Sequence, residues 1–244
     1  MSTVSGPDPL GGLAALEGLP SAYAAARDGV DALLRDRGLR QTTPGQTGES
    51  LLRGAWASAV LEGSASTLEE VREDGGDETA AAAVRVSTEL LALVPVVSRS
   101  PLQAFARLHA LAASGTLPDE RLGRPRSGEA ADRLRQLSAR LVAPTAAPAM
   151  LVAAVVHGEL ATAAPFASHN GIVARAAERL VLVARGVDEK SLLVPEEGHR
   201  RLRAEYESNL RAYAAAGGTS GVHAWLLYCP EAYTLGAEAS PVRG

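Results

Sequence analysis

The apolar residues of this chain are mostly small or aliphatic, and they recur at helical spacing. Apolar types make up 46% of the 244 residues, yet aromatic types make up only 4%. A core with so few rings has to be filled by Ala, Leu and Val. These side chains favour helices that pack closely. No stretch alternates in the way a half-buried strand requires, and the short β-branched runs fall within helical periods. The expected fold class is all-α, a compact helical bundle, with room for a small β-hairpin only near 116–127. The length suits one large domain, or a domain with a small extension.

The periodicity and its punctuation place the elements. Residues 1–19 carry Gly and Pro and are expected to be poorly ordered. In "SAYAAARDGVDALLRDRG", Tyr23, Ala26, Val30, Leu33 and Leu34 fall on one helical face, with Gly38 as C-cap. "LRQTTPGQTG" reads as a loop and marks a boundary, giving an N-terminal extension over 1–48 and a main domain over 49–240. A helix over 49–62 stops at Gly63. Thr67 and Glu70 form a capping box. A long apolar helix covers 79–98, kinked or ended by Pro95. Ser100 and Pro101 open the next helix, with Leu102, Phe105, Leu108, Leu111 and Ala112 on its buried face and Gly115 as terminator. Further helices are expected over 128–141, 147–163, 171–185, 197–215 and 220–236.

Several functions are excluded or disfavoured at once. The net charge is −4 and no polybasic run occurs, so nothing points to nucleic acid or an anionic membrane. No run of 18 apolar residues exists, and the N-terminus lacks the pattern of a secretory signal, so a cytoplasmic protein is expected. Cys229 is the sole cysteine. The five histidines show no zinc-binding spacing, so no metal site is expected. The charge-rich "RGVDEK" and "EEGHRRLRAEYE" read as solvated helix ends and faces.

"APFASHNGIVAR", residues 164–175, is the segment with chemical content. A helix starting near Asn170 and Gly171 would present unpaired N–H groups and the positive end of its dipole to an anion. Gly171 would let a phosphate approach the backbone closely. Asn170 reads most simply as the helix N-cap. Nucleotidyl transfer needs more: a base for the acceptor hydroxyl, an acidic ligand for Mg²⁺, and a cation on the phosphates.

The segment resembles the motif of the Fic family of nucleotide-dependent protein modifiers, H-P-F-x-[D/E]-G-N-G-R-x-x-R. Pro165, Phe166, Asn170, Gly171 and Arg175 match it. Ala164 stands where the family has its base, and Ser168 where it has the metal-binding carboxylate. His169 replaces a loop glycine, and Ile172 replaces the phosphate-binding arginine. The flanking "AAVVHGELATAAPF" and "AERLVLVARGVD" are similar to the family's helices around the loop, and Gly123 with Arg124 or Arg126 is similar to an upstream loop element. "WASAVLEGSASTLEEV" resembles the family's inhibitory helix, S/T-x-x-x-E-G/N, as Ser58, Glu62 and Gly63 within a helix over 49–63.

The resemblance, over about residues 49–236, implies a Fic-like bundle with its own inhibitory helix. It implies that Glu62 pairs with Arg175, and that Phe166, Asn170, Gly171 and Arg175 are the nucleotide-binding positions. Ala164, Ser168 and Ile172 are vestigial, so no catalytic set is intact. The expected role is a pseudoenzyme, a binding or regulatory module for a protein partner, with a homodimer an open option. The alternative is a divergent transferase using ATP with Mg²⁺, or another donor, with His157 or His169 as substitute base. His169, at a helix N-terminus, should be largely neutral.

Overall fold

The computed structural model describes residues 8–35, 43–215 and 219–242. Among them are thirteen α-helices and no strand. The first five are α1 (Gly11–Ala14), α2 (Leu19–Arg35), α3 (Pro44–Leu61), α4 (Leu68–Asp74) and α5 (Glu78–Glu89). Next come α6 (Val94–Arg99), α7 (Pro101–Ala113), α8 (Gly128–Val142), α9 (Ala149–Ala163) and α10 (Asn170–Ala184). The last three are α11 (Pro195–Arg201), α12 (Arg203–Ala215) and α13 (Thr219–Glu238). The room left for a hairpin at 116–127 is filled by a single 3₁₀ turn at Asp119–Arg121.

Two antiparallel helices, α9 and α10, occupy the centre. In α9 the run Met150–Gly158 is buried without a break, and in α10 every residue from Ile172 to Val183 is buried. A helix apolar on all sides is stable only when others surround it. Helices α2, α8, α12 and α13 pack on α9, and α3, α6 and α7 pack on α10. Trp225 of α13 is fully buried and donates its indole N–H to the Ala154 carbonyl of α9, 2.8 Å away. The 164–169 connection between α9 and α10 therefore emerges from the most constrained part of the molecule.

Several boundaries differ from expectation, each for a local reason. Helix α3 begins at Pro44, not 49, so much of the supposed loop is helical and the boundary at 48/49 falls inside a helix. Pro44 fills the first helical position, where a missing N–H costs nothing, and Gln46 Oε1 accepts from the Thr43 N–H. Residues 1–7 and 36–42, with the expected cap at Gly38, lie outside the described residues, as do the side chains of Leu33 and Leu34. From Asp8 onward the N-terminal segment is packed: Leu10 and Leu19 are core residues, and the Asp8 carboxylate accepts from the Ala146 N–H at 2.9 Å. The apolar stretch 79–98 breaks at Leu90–Leu93 with a bend of 48°, before Pro95, which sits in the first turn of α6. Leu102 is 37% exposed, although its spacing assigned it to the core.

The expected helix over 197–215 divides at Leu202 (φ −101°, ψ 37°). That break turns α12 so that Tyr206, its one buried residue, points inward. No single helix among the described residues is long and apolar enough to cross a membrane; the bent pair at 78–99 passes by length and composition only.

Helices α11 and α13 touch backbone to backbone. A Cβ added at Gly198 would overlap the Ala232 carbonyl oxygen, and one at Gly236 would lie 2.7 Å from the Val194 oxygen. Gly198→Ala should therefore lower the unfolding free energy by about 1–3 kcal/mol through overpacking. Urea denaturation followed by circular dichroism measures it.

Candidate functional site

The loop between the central helices has a shape its own residues do not favour. Ala164, the C-cap of α9, has φ 41°, and His169, the N-cap of α10, has φ 56°. Left-handed backbone costs a residue with a Cβ about 1–2 kcal/mol. External ties hold it. Phe166 is buried face-to-face on His109, with ring centroids 4.3 Å apart. Asn170 clamps the Phe166 backbone, accepting from its N–H at 2.9 Å and donating to its carbonyl at 3.0 Å. The Arg126 N–H donates to the Pro165 carbonyl, and the Gly123 N–H donates to His109 Nδ1, both at 2.9 Å. Asn170 is thus the first residue of α10 and a brace for the loop, not the N-cap.

At the mouth of α10, Glu62 and Arg175 meet. Glu62 is the C-cap of α3, followed by Gly63 at φ 95°. The Arg175 guanidinium, 1% exposed, donates to Glu62 Oε1 at 2.7 Å, to Ser58 Oγ at 2.9 Å, to the Ser58 carbonyl at 3.1 Å and to the Tyr206 hydroxyl at 2.9 Å. A Cβ on Gly171 would overlap the Glu62 carboxylate. The carboxylate of the chain itself therefore lies against the helix end where an anion would sit. Ile172 is 2% exposed and belongs to the core.

Arg175 also begins a buried chain of hydrogen bonds whose proton positions are forced as far as Glu178. A guanidinium only donates, so the Tyr206 oxygen accepts from Arg175. The Tyr206 O–H then donates to His157 Nε2, 3.0 Å away. His157 Nδ1 must carry the ring proton, which it donates to Glu178 Oε2 at 2.9 Å. His199 Nε2 donates to the same oxygen at 2.9 Å, and its Nδ1 is hydrogen-bonded to the Tyr228 hydroxyl at 2.9 Å. Tyr233 donates to Glu178 Oε1 at 2.8 Å. All of these side chains are buried.

Burial pushes the His157 imidazole down to about 4 against the pull of Glu178. Burial alone would raise the Glu178 carboxyl; the fields and N–H groups of His157 and His199 outweigh it and hold the group well below the usual carboxylate range. Burial raises the Tyr206 phenol to about 12. The Glu178 carboxylate is thus bonded to a neutral His157.

His157, Glu178 and His199 together have the donor types of a metal centre, brought from positions 157, 178 and 199 that show no motif spacing. The proton order argues against that use. A cation would need the His157 Nδ1 lone pair; the ring proton would then move to Nε2, and the Tyr206 hydroxyl would lose its acceptor. A second buried arginine, Arg179, joins Glu196 of α11 at 3.1 Å, the Ser50 carbonyl of α3 at 3.3 Å and Ser191 Oγ at 2.8 Å.

The structure brings Ala164, Phe166, Ser168, His169, Asn170, Gly171, Arg175, Ser58, Glu62 and Gly63 to one end of α10. His157 lies in the core with both ring nitrogens bonded, out of reach of any substrate hydroxyl. His169 is half-buried, its Nδ1 2.7 Å from Ser168 Oγ, and burial lowers its pKa. Tyr206, Glu178, His199 and Arg179 were missed. "EEGHRRLRAEYE" was expected to be solvated, but Glu196, Glu197, His199 and Tyr206 in it are buried. Its one available signal was a His and a Tyr at i and i+7 amid charges.

The arrangement of thirteen helices matches solved structures along most of its length. A Fic family protein from Desulfovibrio desulfuricans G20 superimposes with a TM-score of 0.71 over 90% of this chain and 74% of that one, at 18% identity. The fold is that of the Fic proteins. A fragment of Fic-1 from C. elegans covers 88% of this chain and 70% of its own at 16% identity, with a TM-score of 0.66. A glutamate-to-glycine variant of that fragment gives 0.64 over the same shares. No family model matches the sequence, and no curated protein matches it. In this Fic fold the 164–175 segment is the connection between the two central helices and the start of the second.

Two outcomes follow for stability. Arg175→Leu should cost about 3–5 kcal/mol because it strands buried acceptors and a carboxylate. Glu62→Ala should cost only about 1 kcal/mol, since a third of that side chain is exposed and Arg175 keeps Ser58 and Tyr206. Urea titration of both variants tests the order. In acid, an unfolded His157 takes up a proton near pH 6.5, whereas the folded one does so only near 4. This contribution is fully present above pH 6.5 and is lost as pH falls to about 4, up to about 3 kcal/mol. Urea midpoints between pH 7 and 4 should fall accordingly, and less steeply in His157→Gln.

Proposed function

We propose that this Fic-fold chain is a binding or regulatory module that carries out no nucleotidyl transfer at the 164–175 loop. The observation that carries the reading is the state of the α10 mouth. Ile172, where the resemblance would put the phosphate-binding arginine, is sunk in the core, and the Glu62 carboxylate rests on Gly171. A nucleotide phosphate arriving there meets a like charge, and the nearby Arg175 is already occupied by Glu62, Ser58 and Tyr206. Ala164 supplies no base and Ser168 no carboxylate. What the chain keeps is a rigid, polar rim around the loop, suited to holding a protein partner.

A second reading has one observation in its favour. His169 is neutral, half-buried and hydrogen-bonded to Ser168 at 2.7 Å, so a base does stand at the rim. In that reading the chain is a transferase using ATP with Mg²⁺ or another donor. Calorimetry against a panel of nucleotides separates the two. Mg²⁺-dependent binding that is lost in His169→Ala favours the transferase, and absence of binding favours the module.

Incubation with α-labelled ATP and Mg²⁺ should label neither the protein nor a lysate. Labelling that rises in Glu62→Gly would overturn the proposal. The combined variant Ala164→His, Ser168→Asp, His169→Gly, Ile172→Arg and Glu62→Gly should gain nucleotide binding by calorimetry, while Glu62→Gly alone should not.

A further inference from the structure

Beside Phe166 is a half-open cavity of about 360 Å³ between α7, α8 and the 123–125 loop. We infer that it is a preformed site for a small amphiphilic carboxylate, with its aliphatic or aromatic body in the cavity and its head group on Arg124. Three properties lead there, and none depends on whether the 164–175 loop transfers anything.

The first is the lining. Leu102, Ala106, Pro125, Leu134 and the edge of Phe166 form an apolar floor. Leu102 is among the few large apolar side chains left exposed, at 37%, although its helical spacing matches the buried face of α7. The second is size. The volume lies at the lower end of the range for small-molecule sites and is far short of what a docked helix needs. The third is charge. Arg124 and Arg135 are the charged residues of the lining, and no carboxylate lines it. Arg135 is paired with Asp132. Arg124 is exposed and forms no ion pair among the described residues. A guanidinium beside an apolar floor selects a planar anion carrying a hydrocarbon body.

The wall is held in place before any ligand arrives. Gly123 has φ 69°, and a Cβ there would lie 2.7 Å from the Ala106 carbonyl oxygen, so the loop lies directly on α7. Its N–H is bonded to His109 Nδ1, and the Arg126 N–H is bonded to Pro165, fixing the loop on both sides of Arg124. Binding therefore orders little that is not already ordered.

The probe is octanoate, compared with octanol and octylamine, by saturation-transfer NMR and calorimetry on the full chain. Octanoate should bind saturably, and Arg124→Gln should weaken it by about tenfold or more. Leu102→Asp, at a position open to solvent, should abolish binding while circular dichroism stays unchanged. The inference falls if no probe saturates. It falls equally if octanol or octylamine binds as well as octanoate, or if octanoate affinity is the same in Arg124→Gln.

Discussion

A guanidinium sealed from water has to find acceptors and a counter-charge inside the protein, and Arg175 finds them on two other helices. Ser58 and Glu62 come from α3 and Tyr206 from α12, while Arg175 itself is on the central helix α10. Removing the guanidinium would leave the buried acceptors on both helices unpaired. The pair thus ties α3 to α10 whether or not any ligand competes for the same arginine. Through Tyr206 the constraint extends to His157 and Glu178, so the polar interior has one self-consistent arrangement of protons.

That arrangement explains why a core this rich in ionisable groups is stable. Two arginines, two histidines and a glutamate lie within or against α9 and α10, yet each arginine has a carboxylate partner and each of these rings has both nitrogens bonded. The same groups make the core sensitive to acid, because burial keeps His157 neutral. Helix α10 therefore joins the apolar core to the polar seam along its whole length.

The helices were readable from spacing and punctuation because alanine, leucine and valine set the period with little interference. The capping box at Thr67 and Glu70 and the start at Pro101 needed only local chemistry. Reading failed where tertiary contact overrode local signals. "TTPGQTG" looks like a loop, yet Pro44 and Gln46 start a helix there that packs on α5 and α11. Leu102 has core spacing, but it lines an open cavity and is 37% exposed. The Glu62–Arg175 contact was accessible through resemblance. The cluster around Glu178 was not, because its members come from five helices and no spacing along the chain records their convergence.

The strained loop has a consequence for how substitutions in it are read. Ala164 and His169 adopt left-handed backbone without being glycine, so the 164–169 segment is splinted from outside, chiefly by the two bonds of Asn170 to Phe166. Removing the Asn170 amide would let the segment recoil toward ordinary backbone angles. A defect in an Asn170 variant would then report a collapsed splint, and it would look the same whether or not a phosphate had ever touched that side chain.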